Sequence, residues 1–383
     1  MTTTAEIPES VREATDHQRA ARAALAAALA APGHAYLFAG PPGSGKRAAA
    51  RAFAGELLAA VAPDPDEARR RAVSDPPSHP DLVWLAPHGT QHLVDEVRRR
   101  VITAAAYRPF EGERRVFVIE AAEAMADESQ NALLKTLEEP AAYVHLILTT
   151  SQPAALLETV RSRCQTVLFA PLADEAVEDR LRALGLGERE EERLAAARLA
   201  AGDAERAAFL LGPEGRGLRD AAQACVAAAL SGELAAAPWL GLLGDAEAAG
   251  RRAADATRAR LAALAAEAGQ DEGPAAGRRA RETEEAARRA ARRARTDALD
   301  LGLALVAAWL RDLAAVAEGV DGLVLNADRV EGLRAAGVGR DARRARRGAE
   351  LVMETRRRLQ VNVAEELALE ALLFRLEALL RDA

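Results

Sequence analysis

The sequence predicts an α/β domain built on a parallel sheet, followed by a part made of helices alone. Three observations carry this. The runs at residues 116–119 (Val-Phe-Val-Ile), 144–149 and 166–169 are short, apolar and β-branched without polar alternation, the pattern of parallel strands covered on both faces. An apolar run, Ala35 to Ala39, feeds straight into Gly40-Pro41-Pro42-Gly43-Ser44-Gly45-Lys46 and then a helical pattern over 47–60, which together read as strand, phosphate-binding loop and helix. From Ala173 onward no strand pattern recurs.

Taken in order, residues 13–31 form an Ala-rich helix pattern broken by Pro32-Gly33. In the loop that follows the first strand, glycines let successive backbone N–H groups turn inward around phosphates, and Lys46 adds a compact charge that arginine's planar fork does not mimic. The next residue breaks the pattern. A metal-dependent loop has Ser or Thr there to ligate Mg²⁺, and this chain has Arg47. The strand at 116–119 ends in Glu120-Ala121, where hydrolytic relatives of such loops place Asp for the metal and Glu to polarise water. Glu120 is one methylene longer, and Ala121 offers no base. Magnesium is therefore not expected in this site, nor hydrolysis of ATP.

Between these motifs, 62–81 is proline-rich and reads as irregular, and Leu82 to Leu85 is a further strand. His79 fits a capping or turn role better than a metal ligand, and His34, His88, His92 and His145 also lack a partner at metal spacing. Residues 94–107 read as an amphipathic helix with Arg98, Arg99 and Arg100 on a solvated face. Asp127 is placed to cap the next helix with Gln130 as its capping-box partner; Ala132, Leu133, Leu134 and Leu137 make the inward stripe, and Pro140 ends it. Thr149, Thr150 and Ser151 stand at the carboxyl end of a strand, where ligand contacts gather in open α/β sheets, or else form a turn that bonds to itself. Pro153 can start a helix over 154–159, and Arg161 and Arg163 follow in a short polar loop.

Residues 173–212 read as small helices, among which Arg206 is either a nucleotide contact or a surface arginine, and Gly212-Pro213-Glu214-Gly215 reads as a linker. The tract 251–298 is rich in Ala, Arg and Glu, with Glu284–Arg288 and Glu285–Arg289 at the i,i+4 spacing of a solvated helix. The arginines of 278–295 suit DNA phosphates too, but the interspersed glutamates favour solvent. Residues 359–374 are an apolar helix that needs a partner surface.

The 383 residues suffice for two or three domains. A net charge of -7 and a pI near 5.6 argue against a protein that coats nucleic acid by itself. Two cysteines, Cys164 and Cys225, make neither a disulfide framework nor a structural zinc site. No run is long and apolar enough to span a bilayer, and Met1 to Ala20 resembles neither a signal nor a transit peptide, so a cytoplasmic protein is expected. Among 51 lysines and arginines only Lys46 and Lys135 are lysine, and both fall inside motifs.

These motifs together resemble delta-prime subunits of the bacterial DNA polymerase III clamp loader, an AAA+ family. The resemblance rests on His17-Gln18, on His34 to Phe38 leading into Gly40 to Lys46, on His79-Pro80-Asp81-Leu82, on Val116 to Met125, on Gln130 to Pro140, on Ser162-Arg163-Cys164 and, more loosely, on the tail from Leu359. It implies a RecA-like AAA+ domain over 1–171, a helical lid over 172–212 and a helical collar for oligomerisation over 213–383, with a charged insertion around 245–300 that the family does not explain. It implies that Arg163 is an arginine finger reaching the γ-phosphate of ATP on a neighbouring subunit. It further implies gamma/tau and delta subunits, the sliding clamp and, through the complex, primed DNA as partners. Two departures matter. Residues 62–80 hold no cysteine where many relatives carry a zinc module, so no metal is expected; and the intact glycines and Lys46 imply that ATP or ADP can be held here without hydrolysis. Two other readings stay open: a gamma/tau-like motor hydrolysing ATP in its own site, and a DNA-binding architectural protein using the arginine-rich helix.

Overall fold

The computed structural model describes residues 7–74, 77–87, 92–267, 274–359 and 364–381. Met1 to Glu6, Pro76, His88, the Gln360 to Val363 start of the apolar tail and the side chains of Arg278 and Arg279 lie outside the described residues. The chain divides into two compact units, Met1–Leu172 and Ala173–Ala383.

In the first unit five strands, β1 (Ala35–Ala39), β2 (Leu82–Leu85), β3 (Arg115–Ile119), β4 (Val144–Thr150) and β5 (Gln165–Leu168), form one sheet in the order β2-β3-β4-β1-β5. Every neighbouring pair is parallel, with Tyr36 opposite Ile147 and Ala39 opposite Thr150 at the centre. The unbroken apolar runs follow from this geometry. Successive side chains point to opposite faces, so both need an apolar residue when both faces are covered. Tyr36, Phe38, Val116, Val118, Ile147 and Val167 pack on one side; Leu37, Ala39, Phe117, Ile119, Leu146 and Leu148 pack on the other.

The helices that cover the first face are α1 (Glu9–Ala14), α2 (Arg19–Ala30), α3 (Lys46–Ala59) and α4 (Pro65–Val73), contributing Val11, Leu25, Phe53, Leu57 and Ala72. Phe53 meets the Tyr36 ring edge-on at 4.9 Å. On the second face lie α5 (Val94–Val97), α6 (Asp127–Glu138) and α7 (Glu158–Arg161), with Val97, Leu133, Leu137 and Val160 buried. This two-faced parallel sheet is the α/β architecture the sequence predicts.

Several local details differ from the sequence-based expectation. The helix expected over 13–31 is two helices, interrupted at Thr15 to Gln18 with His17 at φ 60°. The stretch 62–81 is not irregular throughout, because Asp64 caps α4 by accepting from the Asp66 and Glu67 N–H groups and Pro65 takes the first helical position, which needs no N–H. Residues 94–106 are helical but change winding, from α5 through a π-helical Arg98–Thr103 to a 3-10 turn at Ala104–Ala106. Asp127 does not cap α6; Ala126 holds the cap position. Buried Gln130, instead of closing a capping box, donates to the Met125 carbonyl at 3.1 Å and accepts from the Leu157 N–H at 2.8 Å. In place of a helix over 154–159 there is a 3-10 turn at Pro153–Ala155 and then the short α7.

The second unit is helical: α8 (Asp174–Ala183), α9 (Glu190–Ala200), α10 (Ala204–Leu211), α11 (Pro213–Ser231), α12 (Trp239–Glu267), α13 (Pro274–Ala317), α14 (Val330–Gly337), α15 (Ala342–Leu359) and α16 (Glu365–Arg381). Gly212 to Gly215, expected as a linker, is the start of α11, with Gly212 as cap and Pro213 in the first turn. The charged stretch is a pair of long helices, α12 packed against α13. Arg258 on α12 pairs with Glu284 on α13 at 3.1 Å, and the expected Glu284–Arg288 and Glu285–Arg289 pairs form at 3.4 and 3.6 Å. α13 also packs against α11, α14 and α15. A buried ion pair fastens α11 to the turn before α14, where Arg219 meets Asp328 at 2.7 Å and Asn326 at 3.1 Å. Among the described residues no helix is long and apolar enough to cross a membrane.

Candidate functional site

The carboxyl ends of the parallel strands bring the predicted loop and its neighbours to one edge of the sheet, where open α/β folds place their ligands. The loop leaves β1 at Gly40, whose N–H donates to the Thr150 carbonyl at 3.2 Å. Glycine is required there, since a Cβ would stand 2.3 Å from the Phe169 carbonyl oxygen. Gly43 at φ 67° and Gly45 at φ 91° take the left-handed conformation that curls the loop around the start of α3. Such a curl points N–H groups inward and suits an anion. Lys46 is 8% exposed, and its ammonium donates to the Gly40 and Pro41 carbonyls at 2.6 and 2.5 Å. Ser44 donates its hydroxyl to the Pro41 carbonyl at 2.8 Å. Phosphate oxygens are the natural competitors for those protons.

A residue not assigned to the site from sequence fixes this loop. Gln18 is buried; its amide donates to the carbonyls of Ala170 at 2.7 Å and Ser44 at 3.2 Å, and its oxygen accepts from the Ala170 N–H at 3.0 Å. The loop is thus tied to the chain leaving β5. The one signal for this in the sequence is the dipeptide His17-Gln18.

The two departures in the metal site meet each other. Arg47 Nε lies 3.4 Å from Glu120 Oε1, and the indole N–H of Trp84 donates to Glu120 Oε2 at 3.0 Å. A guanidinium thus faces the carboxylate at the end of β3, and the second carboxylate oxygen is engaged as well. The Arg51 guanidinium lies over the Trp84 ring, 5.2 Å from its centre. Ala121, at the position of the missing base, is left-handed at φ 49°, a conformation costing about 1 to 2 kcal/mol for a residue with a Cβ.

Thr149 and Thr150 are buried at the end of β4, and each hydroxyl oxygen accepts a backbone N–H, from Ala121 at 3.2 Å and from Gln152 at 3.1 Å. They brace the turns beside the site. Beside them Glu123 accepts from the Ser151 hydroxyl at 2.6 Å and N–H at 3.1 Å. Burial opposes its ionisation, but these hydrogen bonds outweigh burial and hold its carboxyl below the usual glutamate range.

Two of the histidines bond to the backbone. His79 Nδ1 accepts from the Asp81 N–H at 3.1 Å, and His145 Nδ1 lies 2.7 Å from the Gly33 carbonyl oxygen. Among the described residues no cluster of His, Cys, Asp or Glu could hold a metal ion. Arg206 belongs to the second unit, where it lies 3.9 Å from Asp203, which caps α10.

Arg163 lies apart from the loop, on the tight turn between α7 and β5. Its backbone is fixed: the N–H groups of Ser162, Arg163 and Cys164 donate to the carbonyls of Glu158, Val160 and Arg161. Cys164 packs against the core, and burial pushes its thiol up to about 12. The Arg163 side chain is 35% exposed, donating to the Thr159 carbonyl at 2.9 Å and pairing with Glu138 of α6 at 2.5 Å. That contact joins the last turn of α6 to the turn that precedes β5.

Residues 18–173 match the protein family described as "DNA polymerase III, delta subunit". DNA polymerase III subunit delta' of Bacillus subtilis is 36% identical over 154 residues, 39% of this chain and 45% of that protein. The delta' subunit of Pseudomonas aeruginosa is 40% identical over 157 residues, 39% of this chain and 48% of that protein. Subunit gamma/tau of Mycobacterium tuberculosis is 33% identical over 237 residues, 52% of this chain and 40% of that protein. The chain thus spans under half the length of these relatives.

Proposed function

We propose that this chain, which over residues 18–173 belongs with the delta-prime subunits of DNA polymerase III, is a non-motor subunit of the clamp loader. It places Arg163 against ATP bound by a neighbouring motor subunit, so that the complex can load the sliding clamp onto primed DNA. The observation that carries this reading is the Arg47–Glu120 pair. A cation fixed in the protein takes the place of the metal, and Ala121 leaves water unactivated, so the chain's own site has no route to hydrolysis. The glycine curl and Lys46 remain suited to phosphates, so the site holds ATP or ADP without magnesium.

Arg163 has what a finger acting on another subunit needs. It is exposed, it stands on a rigid turn, and its cis partners are a carboxylate, a carbonyl and a hydroxyl that a phosphate can replace. In this reading the partners are gamma/tau and delta subunits, and the helices of the second unit supply lid and collar. A gamma/tau-like motor would need a cation beside Arg47. An architectural DNA-binding protein would need an unneutralised basic helix, whereas Arg258, Arg288 and Arg289 are paired with glutamates.

Reconstitution tests the proposal. Gamma/tau and delta subunits lacking this chain are expected to load clamps poorly, and adding it should restore loading although the chain alone hydrolyses no ATP. Full loading without it would remove the proposed role.

A further inference from the structure

We infer that Glu138 is a positioning residue for Arg163: it holds the guanidinium within its own subunit and releases it only when a neighbouring phosphate competes. The inference rests on the reading of Arg163 as a finger acting in trans. One guanidinium nitrogen, Nη2, lies 2.5 Å from Glu138 Oε1, and the other, Nη1, donates to the Thr159 carbonyl at 2.9 Å and points toward the Ser162 hydroxyl at 3.5 Å. Both terminal nitrogens are thus engaged within the subunit.

A carboxylate in that place cannot simply assist the finger. A phosphate accepting from the same guanidinium edge would bring its oxygens into the neighbourhood of Glu138, and two anions sharing one cation repel. Glu138 must give way for Arg163 to engage. The exchange is cheap because the pair is half exposed, and such pairs stabilise by about 0.2 to 1 kcal/mol. That energy suits a gate that a triphosphate can open, and one that keeps the finger from engaging a poorly aligned neighbour. Glu138 sits in the last turn of α6, while Arg163 follows α7, so any movement of α6 relative to the turn changes the strength of the hold.

The test uses the complete loader reconstituted with this chain carrying Glu138→Gln, Arg163→Ala or both. Glu138→Gln removes the charge at an exposed position and should raise ATP turnover of the complex in the absence of clamp and DNA by about 2- to 5-fold, the factor such a pair is worth. The rise should appear in kcat, with KM for ATP unchanged, because the nucleotide is bound by the neighbour. In the double variant the rise should vanish and turnover should match that of Arg163→Ala alone. If Glu138→Gln leaves turnover unchanged or lowers it while Arg163→Ala is defective, the inference falls and the finger stands. If Arg163→Ala is itself without effect, the finger reading falls, and the inference with it.

Discussion

Replacing Arg163 with alanine in the assembled loader is expected to slow hydrolysis at the ATP site that receives it by about 10³-fold or more, the scale on which an arginine donated in trans acts in phosphoryl transfer. The physical cause is loss of a fixed, always-charged fork aimed at charge that develops on the transferring group. The isolated chain should fold as before. Within the subunit the side chain meets the Thr159 carbonyl, the Ser162 hydroxyl and the half-exposed Glu138 carboxylate, and removing exposed interactions of that kind shifts stability by about 1 kcal/mol or less. Arg163→Lys keeps the charge without the planar fork and should remain defective. Single-turnover hydrolysis and clamp loading by the reconstituted complex would show this. Unaltered rates in both would remove Arg163 from the chemistry.

The second large effect concerns stability and falls in the other unit. Asp328→Ala is expected to destabilise the helices of 173–383 by about 3 to 5 kcal/mol, because it strands a buried charge rather than merely deleting a contact. Arg219 has a side chain only 3% exposed, and its nearest partners are Asp328 and Asn326. Asn326 is already committed, donating its amide and its N–H to buried Asp312 at 2.8 and 2.9 Å. For a unit of this size the loss corresponds to a fall of roughly 6 to 20 °C in melting temperature. Calorimetry of the variant chain would read it directly. A replacement of both members by apolar residues of similar volume should recover much of the loss, since the pair's removal as a whole spares the stranded cation.

What is legible in the sequence is whatever depends on neighbours in the chain. The strands at 116–119, 144–149 and 166–169 are found within a residue of their expected ends, because a run covered on both faces needs no knowledge of what covers it. The loop from Gly40 to Lys46 likewise carries its own signature. Arg47, Glu120 and Ala121 stand out singly as departures, but nothing in the sequence says that Arg47 and Glu120 pair or that Trp84 takes the other carboxylate oxygen. Gln130 misleads for the same reason: its capping-box spacing is local, as is the Met125 carbonyl it donates to, whereas the Leu157 N–H that recruits its oxygen lies 27 residues away in the chain. Pro65 is a different case. The start signal, Asp64 followed by proline at the first helical position, is present in the sequence and is masked by the number of prolines around it.

If the loop from Gly40 to Lys46 receives phosphates while the Arg47–Glu120 pair stands where a metal would, nucleotide binding by the isolated chain is independent of magnesium. Titration calorimetry with ADP and ATP, in chelator and in excess Mg²⁺, is predicted to give the same affinity in both conditions, with no phosphate released over the course of the experiment. Binding that tightens in Mg²⁺, accompanied by steady release of phosphate, would mean that Arg47 and Glu120 part to admit the metal, and the account would be wrong.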